Sequence, residues 1–491
     1  MVSRAPAGAR RGRAGAARPA RRGPWLGREF EVEVGPVAHG GHCVARHEGR
    51  VLFVRHTLPG ERVVARVTED RGGGFCRADA IRVLAAAPER VEPPCPHAGP
   101  GRCGGCDWQH ASGAAQRALK AAVVREQLTR LAKLPDVPVT VEELPGGLLG
   151  TRTRVRYAVG PDGHTGLRRH RSHELEPVSH CPLGTDAVTA AGAGERTWPD
   201  AAEVEVVAST GGDTSILTRP RIDAGAPGPA ESSGRSRADT TASGPAESRG
   251  RSQTGAPGPA ESSGRSHTGA PGPADDRGRS RADGVEDGAD PRAAGGGGVV
   301  ASGPERVRER AGGREWELAA GGFWQVHPAA AETLAACVLE LLAPRPGETA
   351  LDLYAGAGLF AGVLAAAVGP AGHVLAVEAD ERGVADARAN LAGLPAEVRA
   401  ARVTAGLLGG LGLTPDLAVL DPPRAGAGPE VLTALLALRP RAVAYVSCDP
   451  AALARDLRAA LDAGWRLSAL RAFDCFPMTQ HVETVALLEP R

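Results

Sequence analysis

Two thiols and one carboxylate near the C-terminus are the residues best placed for covalent chemistry. Cys448 stands in Tyr445-Val446-Ser447-Cys448-Asp449-Pro450, at the end of an apolar, strand-like run. Asp449 is a natural helix N-cap and Pro450 a natural first helical residue, so the thiol falls where a strand hands over to a helix. A free thiol has a pKa of about 8.5, and a helix N-terminus lowers it toward the reactive range. The chemistry this allows is nucleophilic addition. Cys475, in Asp474-Cys475-Phe476-Pro477, is the rival thiol. It lies outside the parallel-strand pattern and reads as a packing residue. Pro477-Met478-Thr479-Gln480-His481-Val482-Glu483 opens the final strand, where a period of two puts His481 and Glu483 on one face. A carboxylate there can act as a general base.

A second group of residues suits a nucleoside cofactor. Asp352-Leu353-Tyr354-Ala355-Gly356-Ala357-Gly358 follows an apolar strand, and Gly356 and Gly358 let the backbone approach a ligand at a helix N-terminus. Glu378 closes the next strand, where an acid accepts hydrogen bonds from ribose hydroxyls. The loop lacks the third glycine of the dinucleotide fingerprint, and with Asp352 ahead of it S-adenosylmethionine fits better than NAD. Asp421-Pro422-Pro423-Arg424 ends a further strand. An aromatic after such a motif would stack on a target base in amino-methylating enzymes; Arg424 disfavours an exocyclic amine as target. Cys95, Cys103, Cys106 and Cys181 form a third constellation, C-x7-C-x2-C with a distant fourth thiol. Four thiolates can hold zinc or an iron–sulfur cluster, and spacing does not decide between them.

The elements that must position these groups follow from patterning. From Glu348 onward apolar strands alternate with helices: Ala350–Leu353, His373–Val377, Leu417–Leu420 and Val443–Val446, with strand-like runs Trp465–Phe473 and Val482–Leu488 at the end. This predicts an α/β fold with a parallel, doubly wound, Rossmann-like sheet over 331–491. Residues 26–88 read as short strands joined by turns, a small OB-like β-barrel. Leu119, Val123, Val124, Leu128 and Leu131 predict a helix over 113–134. Arg154–Tyr157, Val204–Val207 and Trp316–Leu318 read as strands of a central α+β domain spanning 89–223 and 299–330. Residues 224–298 carry the unit Gly-Pro-Ala-Glu/Asp from Gly228, Gly244, Gly258 and Gly272 and have Val285 as their one large aliphatic residue. Such a segment is expected to be disordered and to interrupt two strands at little cost.

The 491 residues carry 58 Lys+Arg against 57 Asp+Glu, a net charge of +1, so the whole chain is not a polycation. Lys120 and Lys133 are its only lysines. Basic charge concentrates in a tail, 1–25, whose arginines begin at Arg4 and include Arg21 and Arg22; it reads as a disordered arm or a non-specific phosphate contact. No apolar core follows it, so no secretory signal is expected. No run of about 18 apolar residues argues for a membrane span. Nine cysteines without an export signal point to a cytoplasmic protein with metal-binding or reactive thiols rather than disulfides.

These pieces, in this order, resemble the RNA (uracil-5-)-methyltransferases of class I. The resemblance rests on Phe323-Trp324-Gln325-Val326, Leu353 to Gly358, Asp421 to Gly426, Ser447 to Pro450 and Phe476 to Glu483. Gly40-Gly41, Phe53-Val54, and Pro59-Gly60-Glu61 before Val63 resemble the TRAM domain, an OB-like barrel found on RNA-modifying enzymes. The resemblance implies S-adenosylmethionine as cofactor and RNA as partner. It implies Cys448 as the nucleophile at uracil carbon 6 and Glu483 as the base that removes the carbon 5 proton. Gln325, Tyr354, Gly356, Gly358, Glu378 and Asp421 are then the cofactor and base contacts. In the 23S rRNA branch of that family a similar cysteine quartet holds a 4Fe-4S cluster, so Cys95, Cys103, Cys106 and Cys181 become its ligands in a central iron–sulfur and RNA-binding domain. The first gap here is two residues longer, which requires a bulge at 98–102. Leu359 and His327 stand where the family often has Asn. The alternatives are a tRNA uracil-5- or RNA cytosine-5-methyltransferase, or a non-catalytic RNA-binding iron–sulfur scaffold. Cytosine-5 enzymes usually carry a cysteine after the proline of the fourth strand, where Pro423 and Arg424 stand.

Overall fold

Alternation in the first strand already builds a barrel wall. In the computed structural model, which describes residues 23–221 and 298–491, β1 (Glu29–Val37) turns Phe30, Val32 and Val34 inward and its glutamates outward. β2 (Cys43–His47), β3 (Arg50–Arg55), β4 (Arg62–Glu69) and β5 (Phe75–Ala85) close the barrel in the order β1-β2-β3-β5-β4. The β1–β2 turn places Gly40 and Gly41 at φ +96° and +77°, conformations that cost glycine little. Trp25, ahead of β1, is buried in the barrel core, and its N–H donates to Asp70. The residues of the basic tail up to 22 and those of the repeat-bearing insertion up to 297 lie outside the described residues. All described residues belong to one compact unit.

α1 (Gly113–Gln127) starts at Ser112, whose hydroxyl accepts from Ala115 N–H, and runs on as a single wider turn to Ala132. Its buried stripe is Gln116, Leu119, Lys120, Val123, Val124 and Gln127. Lys133, in the left-handed conformation, ends it. After β6 (Val141–Glu143), β7 (Arg154–Val159), β8 (Thr165–Arg168), β9 (Leu175–Pro177), β10 (Ala201–Ala208), β11 (Thr214–Pro220) and β12 (Val299–Ser302) form a six-stranded sheet, ordered β12-β11-β10-β7-β8-β9. β11 and β12 pair antiparallel across the insertion. α2 (Asp186–Ala190) packs on β10.

Trp316 to Leu318 do not join that sheet. They lie in β14 (Arg314–Ala319), which pairs only with β13 (Arg306–Ala311). The reason is where their apolar side chains go. Val307, Trp316 and Leu318 are buried in one core with α3 (Ala330–Leu342) and α4 (Leu359–Val368). A methyl at Gly362 of α4 would stand 2.4 Å from the Trp316 ring, so the indole needs that glycine.

The last sheet has eight strands. β15 (Thr349–Leu353), β16 (His373–Glu378), β17 (Ala396–Ala400), β18 (Leu417–Leu420) and β19 (Ala442–Ser447) run parallel. α4, α5 (Glu381–Asn390), α6 (Ala405–Gly409), α7 (Pro429–Ala437) and α8 (Pro450–Asp462) connect or follow them. β20 (Trp465–Asp474) and β21 (Glu483–Pro490) complete the order β17-β16-β15-β18-β19-β21-β20-β6. Strands buried on both faces read as continuous apolar runs, which is why these runs are so plain in the sequence. Among the described residues no helix is long and apolar enough to cross a membrane.

Candidate active site

Strand order reverses at β15, which has β16 on one side and β18 on the other. The crevice beyond the carboxyl ends of such strands is where α/β sheets bind ligands. The glycine loop leaves β15 there, Asp421 follows β18, and Cys448 follows β19. β21 runs antiparallel to β19, so its first residue, Glu483, starts at that same edge. One sheet edge therefore gathers residues that lie far apart in the sequence.

The glycine loop is fastened by acids. Both Tyr354 and Ala355 donate their N–H to Val377 O, at 3.0 and 3.1 Å. Glu378 accepts from Gly356 N–H at 2.8 Å with one oxygen and from Ala379 and Asp380 N–H with the other. Its carboxylate thus ties the loop to the end of β16. Tyr354 and Gly356 take left-handed φ values of +65° and +55°, and a Cβ built on Gly356 meets nothing within 4 Å. Gly358 has no such room, because a Cβ would lie 3.3 Å from Leu391. Asp352 is fully buried. Its Oδ2 accepts from Ala361 N–H at 2.7 Å, while Oδ1 has no hydrogen-bond partner within the protein. Burial, with the Asp421 and Glu378 carboxylates nearby, pushes its pKa up to about 8. Burial also pushes the Tyr354 phenol up to about 12. Gln325 is buried beside Val326, whose carbonyl accepts from Thr153 N–H and Oγ1–H.

Cys448 and Glu483 are neighbours by register. Ser447 pairs with Thr484 across β19 and β21, and Thr484 Oγ1 donates to Ser447 O at 2.8 Å. The next position on each strand is Cys448 and Glu483. Cys448 is half-buried; Glu483 is 3% exposed. Asp449 caps α8 by accepting from Ala452 N–H at 2.7 Å. Cys475 is buried in the main core, and burial, with Glu483 close by, holds its thiol well above the usual range. His481 sits between Arg424, Lys120, Arg152 and Asp449, and burial first, then those cations, lowers its pKa to about 3. It is a neutral ring at pH 7.

Several residues that build this site carry no motif. Lys120 of α1 donates to Asp474 Oδ1 at 2.5 Å and to Phe476 O at 2.9 Å. Gln116 accepts from Met478 N–H, and Asp107 and Trp108 N–H donate to Met478 O. Gln480 N–H donates to Asp107 at 2.9 Å. The segment that delivers Glu483 is thus held from outside the sheet, and Met478 takes φ +68° to meet these donors. His39 of the barrel reaches Asp449 at 3.1 Å. One signal was available for Lys120: a lysine, one of only two, inside the apolar stripe of a predicted helix. The contacts of His39 have no local signal.

The cysteine quartet is drawn together without a single-ion geometry. Cys95, Cys103, Cys106 and Cys181 are near enough to influence one another electrostatically. His97 and Ala98 N–H bond Cys95, Gly105 N–H donates to Cys103 Sγ at 3.4 Å, and Gln109 Nε2 donates to Cys106 Sγ at 3.2 Å. Among the described residues, however, no three Cys, His, Asp or Glu side chains are arranged to hold a metal ion. Burial pushes the Cys103 thiol up to about 11 and Cys106 to about 12. The ready-made ligand set expected from the spacing is therefore not what the structure presents.

A glycine loop, an acid-lined crevice and a Rossmann-like sheet extended by antiparallel strands define a class I methyltransferase. Family models match the chain as TRAM domain over 26–81, tRNA (uracil-5-)-methyltransferase over 414–491 and protein-L-isoaspartate(D-aspartate) O-methyltransferase over 324–434. An RNA methyltransferase of Streptomyces avermitilis, itself uncharacterized, is 47% identical, covering 95% of this chain and 99% of its own. One from Corynebacterium efficiens is 31% identical, with 94% of each chain covered. The solved tRNA (uracil-54, C5)-methyltransferase of Pyrococcus abyssi, in complex with S-adenosyl-L-homocysteine, shares the fold with a TM-score of 0.61 at 19% identity, covering 94% of this chain and all of that one. The chain belongs to this family of RNA methyltransferases, with a TRAM barrel and a tRNA (uracil-5-)-methyltransferase-like catalytic region.

Proposed function

We propose that the protein methylates carbon 5 of a uridine in RNA, using S-adenosylmethionine, and that its substrate is 23S rRNA. The observation that best supports the chemistry is that the β19–β21 ladder ends at Ser447 and Thr484, so that Cys448 and Glu483 are each the next residue at the carboxyl end of β19. The cofactor fits the crevice on charge. The Asp421 and Glu378 carboxylates lie near enough to the buried Asp352 to raise its pKa, and an acidic crevice of this kind suits a sulfonium and an ammonium better than the pyrophosphate of NAD. Gly356 leaves open space in the loop, and Asp352 Oδ1 stands without a protein partner. Tyr354, Gly356, Gly358, Glu378, Asp421 and Gln325 would hold the cofactor, which supplies an electrophilic methyl group.

Carbon 5 of uracil is a poor nucleophile. Cys448 thiolate adds to carbon 6, and the electrons of the 5,6 double bond shift to give an enolate. That enolate would bond the methyl carbon as the bond from that carbon to the sulfonium sulfur breaks, leaving S-adenosylhomocysteine. Glu483 then takes the carbon 5 proton, the double bond re-forms, and the sulfur–carbon 6 bond breaks. The uridine must leave its stack to reach the thiol, at a cost of a few kcal/mol that RNA contacts offset. The barrel offers such contacts. Arg71 and Arg77 of the barrel and Arg171 of the β8–β9 turn gather within 4 Å of the one Glu69 carboxylate, at 2.8, 3.7 and 3.1 Å. On the same outer face Phe75 is 52% exposed and meets Phe53 edge-on at 5.6 Å. The choice of ribosomal RNA over tRNA rests on the resemblance of the barrel and the cysteine quartet to the 23S rRNA branch of the family.

Purified protein with methyl-labelled cofactor should place label in 5-methyluridine of 23S rRNA; label in 5-methylcytidine, or none, overturns the reading. Glu483→Gln should lower turnover about 10²- to 10⁴-fold and accumulate RNA covalently joined to protein, visible on a denaturing gel. For the quartet we propose a 4Fe-4S cluster. The support is the resemblance of the quartet Cys95, Cys103, Cys106 and Cys181 to the cluster ligands of the 23S rRNA branch, together with the mutual electrostatic influence of these thiols. Anaerobically purified protein should contain iron and acid-labile sulfide in near-equal amounts; stoichiometric zinc instead would contradict this.

A further inference from the structure

We propose that His39 of the barrel is a positioning residue for methyl transfer, and that the turn carrying it is a wedge holding the Cys448 turn and the Glu483 segment in register. The proposal rests on the uracil-5 reading above. On one side of the wedge, His39 Nε2 lies 3.1 Å from Asp449 Oδ2. The other oxygen of that carboxylate caps α8 at Ala452, and Asp449 N–H donates to Ser447 Oγ at 3.3 Å. Asp449 is therefore pinned through its backbone and both carboxylate oxygens, and Cys448 is the residue enclosed between Ser447 and Asp449. Without His39 one of those pins is gone, and it is the one that comes from outside the sheet.

On the other side, the same turn bears on the Glu483 segment. A Cβ built on Gly41 would stand 2.8 Å from Gln480 Cβ, so backbone and side chain meet with no atom to spare. Gly41 O accepts from the fully buried Trp108 Nε1–H at 3.1 Å, which fixes the turn from behind. Gln480 is three residues from Glu483, and its N–H is held by Asp107, the neighbour of Trp108. Two residues apart in the barrel, His39 and Gly41 thus touch the two segments that supply nucleophile and base. The β19–β21 ladder itself ends at Ser447 and Thr484, one residue short of Cys448 and Glu483.

His39 is exposed, and its hydrogen bond to Asp449 raises its pKa. The charged groups around the ring are Asp449, Glu126 of α1 and Arg455 of α8. A raised folded-state pKa means the charged pair is complete at low pH and is lost as pH rises through that value. Gln at this position can still donate to Asp449 but cannot titrate.

The test uses the full chain and RNA containing 5-fluorouridine, which cannot release its carbon 5 substituent as a proton. Turnover is measured in parallel on ordinary RNA. His39→Ala should lower kcat and the rate of adduct formation about tenfold to a hundredfold, with KM within about twofold. His39→Gln should restore most of that loss. Gly41→Ala, which drives a methyl into Gln480, should lower kcat in the same way and serves as the second variant if His39→Ala fails to fold. Wild-type kcat in His39→Ala, a loss confined to KM, or no rescue by Gln overturns the proposal while a wild-type adduct leaves the uracil-5 reading standing. Wild-type protein that forms no adduct overturns both.

Discussion

Cys448→Ala is expected to abolish methylation, with turnover down about 10⁴-fold or more, while Cys475→Ala keeps most of the activity. Losing a covalent nucleophile removes the step that activates carbon 5, and no neighbouring group can replace it. Cys448 is half-buried at the mouth of the crevice, next to the N-terminus of α8, where the helix dipole favours a thiolate. Cys475 is the closer test of the assignment, because Glu483 is near it as well. Its surroundings argue the other way. It is 2% exposed, sits in the main core, and its thiol is held protonated by burial. Truncating it should cost packing, about 1 kcal/mol, rather than chemistry. Tryptic mapping of the 5-fluorouridine adduct should place the modified peptide at Cys448; a modified Cys475 would reverse the assignment.

The catalytic strands were legible because they are buried on both faces. Ala350–Leu353, His373–Val377, Leu417–Leu420 and Val443–Val446 each coincide with an observed strand to within a residue or so. Partly exposed β17, with the sequence Ala396 to Ala400, has no comparable run and no such signal. The local geometry of the candidate site was legible for a different reason. Glycines at positive φ, an N-cap and a proline at the first helical turn have local causes, and those causes are visible in a few consecutive residues. What supports the site was not legible. His39 meets Asp449 across 410 residues, and Lys120 meets Asp474 across 354. Nothing in either neighbourhood names its partner. Trp316 shows the same limit in the core: its strand was plain, but whether it joined the central sheet depended on a glycine 46 positions later, Gly362.

Lys120→Met is expected to destabilise the protein by about 3–5 kcal/mol, the range for removing one partner of a buried ion pair. Lys120 is 1% and Asp474 2% exposed, and the lysine pKa is lowered by burial while the Asp474 carboxylate works against that shift. Without the ammonium, Asp474 keeps the cost of burial and loses the compensation, and Phe476 O loses a donor. The double variant Lys120→Met/Asp474→Leu should recover much of the loss, because an apolar pair carries no desolvation cost. Thermal melts of the two variants and of Asp474→Leu give the coupling by a double-mutant cycle. Activity should not recover in parallel. Lys120 holds the start of the segment 474–483 that ends in Glu483, and a methionine cannot reach Phe476 O with a hydrogen bond. A double variant that melts near wild type yet turns over slowly would separate the two tasks of this lysine; one that regains full turnover would show that the packing of α1 alone places the base.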